Sequence, residues 1–425
     1  MSRTILAVCA LLLVPRMAAA ERPVGMVAGV VEEADSYWKG NLIHTDYVLR
    51  AGDERIAFTL PGGTIGDETH GTSWSIPLEK GERYLLFLGD EGSPPIAVPE
   101  DRLRAARAFF SIRNPAVPPI VVNPVPSSFS PYGRDQAAYW NVYAPGLFQI
   151  KSPSAAWSFG DGVSDIAGLV DDARMEAEFG DTWFPGALSR TTYRLKDGHI
   201  VEADIALNPA VSWTLDEDKA TRLDGPQSYR HAILNGLGFA WGLIPSFSLS
   251  PRDRESVVGL AGKPYKLATL FSDDTAAVRA AFGGAGIRDG LISAYSIQPA
   301  PGHARQIPLQ LSPASAPAGG SVKVVNPVKI ENTGTEELVN PAVEVYLVPR
   351  RFSMEGAVLL KRIRVKATVA PRALRNVEVG KVTVPGSVAP GSYFVAFQLR
   401  AAGDQYKPND FAWSDSNVVL TVKSR

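Results

Sequence analysis

Cysteine is almost missing from this chain. Its 425 residues contain one, Cys9, which leaves no disulfide framework and no thiolate metal cluster to hold a fold together. A chain of this size must then rest on its own apolar cores. Charge of either sign is not in excess: 43 basic residues face 44 acidic ones, for a net charge of -1. That balance gives no reason to expect nucleic acid as a partner. Histidine is sparse, with five residues: His44, His70, His199, His231 and His303. Beyond the first twenty residues no apolar run is long enough to span a bilayer, so no membrane span is expected. There is no Asn-x-Ser/Thr glycosylation site, no G-x-S-x-G nucleophile turn, no P-loop and no dinucleotide fingerprint. No cofactor is implied, and the oligomeric state is not legible.

What is present begins with an export signal over residues 1–20. Arg3 opens it, Ile5 to Val14 form a short apolar stretch, and Ala18-Ala19-Ala20 supply an A-x-A site with cleavage before Glu21. The expected location is secreted or periplasmic. Gly (38) and Pro (33) together slightly exceed ordinary usage, which favours a β-rich chain broken by turns.

Composition shifts divide the remainder. Over 22–112, strands are expected at Val24 to Val31, Leu42 to Leu49, Arg55 to Leu60 and Arg83 to Leu88, with a short helix at Arg102 to Phe110. This pattern predicts a small closed barrel. Residues 113–133 carry Pro115, Pro118, Pro119, Pro124, Pro126 and Pro131, a density that predicts an extended linker without regular pairing. The segment 134–300 holds a helix-like spacing at Ile166, Leu169, Val170 and Ala173 with Gly180 as its stop. A strand pair follows, Thr191 to Leu195 and Val201 to Leu207, turned by Lys196-Asp197-Gly198. A helix over 229–243 comes next, then one over Asp273 to Phe282 capped by Ser272. Over 305–425, Val343, Val345 and Leu347 alternate with polar positions, as do Tyr393, Val395, Phe397 and Leu399. About seven short strands of that kind predict an Ig-like β-sandwich. The expected fold class is multidomain α+β.

The helix over 229–243 carries the chemistry question. It reads Tyr229-Arg-His-Ala-Ile-Leu-Asn235-Gly236-Leu237-Gly238-Phe239-Ala240-Trp241-Gly242-Leu243-Ile244-Pro245. Its Leu-Gly-x-Ala-x-Gly-Leu frame resembles the zinc-binding segment H-E-x-x-H-x-x-G-x-x-H of matrixin-type metalloproteases, members of the metzincins. Asn235, Phe239 and Pro245 stand where that family places its zinc histidines, and Gly236 where it places the catalytic glutamate. Ser256-Val257-Val258-Gly259 is similar to the family's methionine turn, with Val258 at the methionine position. Glu202 to Pro209 is similar to the strand before the site helix, and the 270–283 segment to the family's closing helix. The first segment resembles a β-barrel module found ahead of matrixin domains and is OB-like in size. Ile330 to Gly334 and Pro390 to Tyr393 resemble adhesion-type Ig modules.

Catalytic zinc needs three strong ligands and an open position, with a carboxylate beside the first ligand as general base. An amide, a phenyl ring, a proline and a glycine supply none of these. The resemblance therefore implies a degenerate, non-catalytic metzincin-like domain. His199 and His231 are the only histidines of the middle segment, and two without a third ligand make a poor site. Asp216, Asp218 and Asp224 are weak calcium candidates, because their spacing does not fit an EF-hand. The expected function is a protein-binding or adhesion and assembly module with a polypeptide partner. The former cleft either holds a polypeptide or is filled by Phe239 and Trp241. The alternative is a secreted hydrolase that works from a non-standard site.

Overall fold

The computed structural model describes residues 25–72, 77–88, 96–99, 111–112, 115–127, 130–183, 187–216, 219–220, 225–244, 257, 269–284, 286–300 and 303–424. The proposed export signal and the helix expected over 102–110 lie outside these residues. Contacts group the chain into two units. The first takes 1–253, 257–268 and 277–283; the second takes 254–256, 269–276 and 284–425. Among the described residues no helix is long and apolar enough to cross a membrane.

The first unit opens with β1 (Gly25–Lys39), β2 (Leu42–Ala51) and β3 (Glu54–Pro61). Next come β4 (Gly63–Ile65), β5 (Glu68–Thr72), β6 (Arg83–Leu88) and β7 (Ile96–Pro99). β1 is long enough to pair with β6 through Gly25–Val30 and with β2 through Val30–Lys39. The resulting antiparallel sheet runs β3-β2-β1-β6-β7. Val31, Tyr47, Leu49, Leu60, Leu78, Tyr84 and Leu86 form its apolar core. The four strands expected in this region are present. Their pairing does not close into a ring among the described residues.

A second sheet of the same unit follows. Its strands include β9 (Ile120–Pro124), β10 (Phe148–Ile150), β11 (Ser164–Leu169), β12 (Ser189–Lys196) and β13 (His199–Leu207). Before them lies the short β8 (Ser111–Ile112). The strand order is β10-β9-β11-β13-β12-β5-β4. β10, β9, β11 and β13 are parallel, while β12 returns antiparallel to β13. The β12–β13 turn has Asp197 at φ 52° and Gly198 at φ 76°, the paired left-handed geometry of a tight hairpin. Helix α1 (Ser130–Tyr143) links β9 to β10 and α2 (Asp172–Phe179) follows β11.

Two sequence expectations change here. The proline-rich stretch 113–133 contains a paired strand, β9. Its prolines flank or end the run Ile-Val-Val-Asn at 120–123, so no ladder amide is lost in the middle. Ile166 and Leu169 belong to β11 rather than to a helix; only the helix from Asp172 onward and its Gly180 stop, at φ 68°, were read correctly. Burial on both faces of a parallel strand gives an apolar run that helical spacing matches by coincidence.

The sheet edge is closed by β5. This strand, part of the hairpin between β3 and β6, pairs antiparallel with β12 through Thr72–Thr192, Gly71–Tyr193, His70–Arg194 and Thr69–Leu195. Gly71 lies directly under the Tyr193 ring, where a Cβ would come within 2.5 Å of it.

The second unit holds the C-terminal strands. Gly290–Ser293 pairs with Val328–Asn332, which pairs with Leu374–Val377. A larger sheet runs 315–317, 419–423, 391–400, 342–348, 358–364. Val343, Val345 and Leu347 face Leu399, Phe397 and Val395 in register, and all six enter one apolar core. The alternation in sequence is thus the inward face of two neighbouring strands. Residues 290–300, grouped by sequence with the middle segment, belong to this unit. Inside it, the fully buried Lys329 and Glu331 form an ion pair at 3.0 Å, and Glu331 also accepts from the Ser272 amide at 2.8 Å.

Gly71→Ala is expected to cost about 1–3 kcal/mol, because the methyl must displace a packed ring at a strand pair. Denaturant unfolding at constant pH measures it; an unchanged midpoint would refute the close β5–β12 contact.

Candidate functional site

Helix α3 (Tyr229–Ala240) is buried on almost every side. Ser228 caps it, accepting from the His231 amide at 3.2 Å. Short pairs brace it: β14 (Trp213–Thr214) with β15 (Gln227–Ser228) at its start, and β16 (Leu243–Ile244) with β8 beyond its end. Of its residues only Arg230 and Asn235 are half-exposed. Such a helix is held by packing rather than by propensity.

Two glycines in this segment have a packing reason. A Cβ on Gly236 would approach Ile205 of β13 to 2.8 Å. Gly236 is therefore where α3 comes closest to the sheet, and no glutamate fits there without separating the two. Gly242, at φ 108°, turns the chain away from the helix after Trp241.

The other marked positions divide. Asn235 is half-buried, and its Nδ2 donates to the Val257 carbonyl at 2.8 Å. Val257 itself is fully buried. Asn235 thus meets Val257, the one described residue of the 256–259 segment. Phe239 is 8% exposed and Trp241 fully buried. Trp241 packs edge-on against Trp140 at 5.5 Å and Phe282 at 5.6 Å. Trp140 in turn donates from Nε1 to the Leu234 carbonyl at 3.2 Å. Large aromatic rings fill the end of the helix. Pro245 and Val258 lie outside the described residues.

The calcium candidates do not gather. Asp216 is exposed and pairs with Lys219 at 3.6 Å, while Asp218 and Asp224 lie outside the described residues. Among the described residues no group of three His, Cys, Asp or Glu side chains is arranged to hold a metal ion. His199 sits on the surface with Nδ1 2.8 Å from the Pro115 carbonyl, and His231 is buried on α3.

The strongest polar cluster of the unit lies on the opposite face of the sheet. Ile205 turns toward α3, so by alternation Glu202 and Asp204 turn away from it. Asn123, Asp165, Asp204 and Thr192 form one row across β9, β11, β13 and β12. Asn123 donates to Asp165 at 2.6 Å, and Asp204 accepts from the Asp165 amide at 2.8 Å. Glu202 accepts from the amides of Gly160 at 2.5 Å and Gly162 at 3.0 Å, with Arg194 at 3.3 Å. Glu178 accepts from Phe159 at 3.2 Å. Glu202 pins the loop 157–162 to the sheet and Glu178 pins it to α2. An open groove beside that loop is lined by Trp157, Asp161, Leu169, Asp171 and Arg174.

Burial drives the titration of this cluster. It pushes Asp165 up to about 7, against the hydrogen bond from Asn123. Asp204 is raised well above the usual carboxylate range by burial and then by the charges of Glu202 and Asp165. His70, on β5, moves the other way: burial first, then Arg194, lowers it to about 4. Its Nδ1 accepts from the Ile43 amide at 3.1 Å, so it is held neutral as an acceptor. Sequence reading passed over these residues. The signal was present in the alternation Glu202-Ala203-Asp204-Ile205, where acids share one face of a strand that is buried on both.

Two outcomes are expected. Gly236→Ala gains about 1 kcal/mol of helix propensity but incurs about 1–3 kcal/mol of overpacking; thermal unfolding should show a net loss, and a stabilised variant would contradict the close approach. Asp165, protonated when folded up to about 7 but ionised when unfolded above 3.8, contributes stability that is lost as pH rises between those values. His70 does the reverse, losing its contribution as pH falls from 6.5 to about 4. Asp165→Asn should therefore flatten the decline in unfolding free energy between about pH 4 and pH 7, and an unaltered pH profile would contradict the assignment.

The chain matches no known protein-family model, and no curated protein sequence matches it.

Proposed function

We propose that this chain is an exported, non-catalytic relative of the metzincin proteases whose outer modules bind protein partners. The carrying observation is the close approach of Gly236 to Ile205, where an added Cβ would lie only 2.8 Å from the isoleucine side chain. A general-base carboxylate beside a metal needs space and access at that position; here the space is occupied by the sheet. Two further features support the reading. Asn235 reaches the Val257 carbonyl, as a shared frame of helix and turn requires, while Phe239 and Trp241 fill the helix end with rings. The edge strand β12 already pairs with β5, so an extended polypeptide cannot add to the sheet there.

This favours a filled cleft over one that holds a polypeptide. The flanking OB-like and Ig-like modules then supply the surfaces for adhesion or assembly. In this reading the degenerate domain acts as a rigid core that displays them.

The test is direct. The purified chain should bind no stoichiometric zinc and should not cleave casein, with or without added metal. Stoichiometric zinc together with chelator-sensitive cleavage would overturn the proposal and favour the hydrolase alternative.

A further inference from the structure

The outer face of the large sheet in the second unit carries an unusual combination of side chains. Val343, Val345 and Leu347 point into the core, so Glu344 and Tyr346 point out. Cross-strand register places Leu359, Tyr346, Ala396 and Trp413 in one row. The next row holds Arg362, Glu344, Gln398 and Phe411. Phe411 and Trp413 lie nearly parallel, with an interplanar angle of 13° and centroids 6.2 Å apart. Phe352, from the loop between Val348 and Val358, meets Trp413 edge-on at 5.8 Å. Phe352 is 45% exposed and Leu359 48%.

Three features go beyond ordinary surface chemistry. Phe352 has φ 57°, a left-handed backbone that a bulky side chain rarely adopts. Strain of that kind persists where the surroundings hold a residue in place for use. Glu344 sits at the centre of a fixed network, accepting from Tyr346 Oη at 2.7 Å and Arg400 Nε at 2.7 Å, with Arg362 Nε at 3.2 Å. The two guanidinium groups are thereby aligned on the surface before any partner arrives. Finally, Arg364 and Arg400 flank Ala342 in the row beyond Glu344, so three arginines stand against one carboxylate across these rows.

Basic side chains on the edge strand Val358–Arg364 have a structural use, since they discourage pairing with other strands. That use explains neither the aromatic row nor the held Phe352. An exposed Phe352 over half-exposed Tyr346, Phe411 and Trp413, interleaved with arginine, has the composition of a protein-binding hot spot. Local positive charge selects a negative partner.

We propose that the face formed by Phe352, Leu359, Tyr346, Trp413, Arg362 and Arg364 docks an acidic polypeptide segment, one in which carboxylates alternate with apolar side chains. The apolar side chains meet the aromatic row and the carboxylates meet the guanidinium groups. This surface is separate from α3, and the proposal holds whether or not that helix is a vestigial site.

The test uses the full chain and a short synthetic peptide alternating Glu and Leu. The Lys-Leu peptide and polygalacturonate serve as controls. The Glu-Leu peptide should bind in a salt-sensitive manner. Phe352→Gly removes the ring and relieves the left-handed backbone, so it should weaken binding about tenfold while leaving the melting temperature equal or higher. Arg364→Glu, at an exposed position, should weaken it similarly. Absence of Glu-Leu binding, equal binding of the Lys-Leu peptide, or unaltered affinity in both variants would overturn the proposal. Stronger, Phe352-dependent binding of polygalacturonate would assign the face to an anionic glycan instead. Concentration-dependent self-association abolished by Phe352→Gly would assign it to a second copy of this chain.

Discussion

The approach of α3 to the sheet at Gly236 and Ile205 sets the dimensions of the first unit. A Cβ at the contact would lie 2.8 Å from Ile205, so its absence is what lets the helix sit this close to the sheet. The helix then buries ten of its twelve residues, and the rings of Trp140, Trp241 and Phe282 close its far end. Asn235 is left half-exposed and holds the Val257 turn. The same choice of glycine that allows this packing removes the position from acid–base chemistry.

The other face of the sheet solves a different problem. Carboxylates at Asp165, Glu202 and Asp204 are buried where only hydrogen bonds and neutralisation make them tolerable. Backbone amides of the 157–162 loop and the Asn123 amide provide part of that compensation, and burial keeps Asp165 and Asp204 protonated over more of the pH range. The return is a loop tied to the sheet without a disulfide, in a chain whose only cysteine is Cys9. The β4–β5 hairpin closes the sheet in a comparable manner. It covers the β12 edge and buries His70 between Trp38 and Phe159. An uncovered strand edge is an aggregation hazard, and pairing it internally removes that hazard.

In the second unit the inward and outward faces divide the labour. Valine and leucine at alternate positions make a core that needs no polar partner. The outward positions of the same strands carry Glu344, Tyr346 and the arginines that Glu344 aligns. A rigid sheet fixes the spacing of these groups more tightly than a loop would.

Much of this was legible along the chain. The β12–β13 hairpin, the strands of the first sheet, the Gly180 stop and the alternations at 343–347 and 393–399 follow from local patterns, because turns and two-residue periodicity are properties of neighbouring residues. Other features depended on residues far apart. β9 lay hidden among prolines whose placement at strand ends matters more than their number. β11 imitated a helical spacing because both its faces are buried. Nothing near Gly71 announces that it will lie under Tyr193, and nothing near Gly236 announces Ile205. The sequence by itself determined which side chains the helix carries at Asn235, Gly236 and Phe239. Only the tertiary structure decided what they meet, since that depends on which strand, ring or carbonyl the fold carries to the contact.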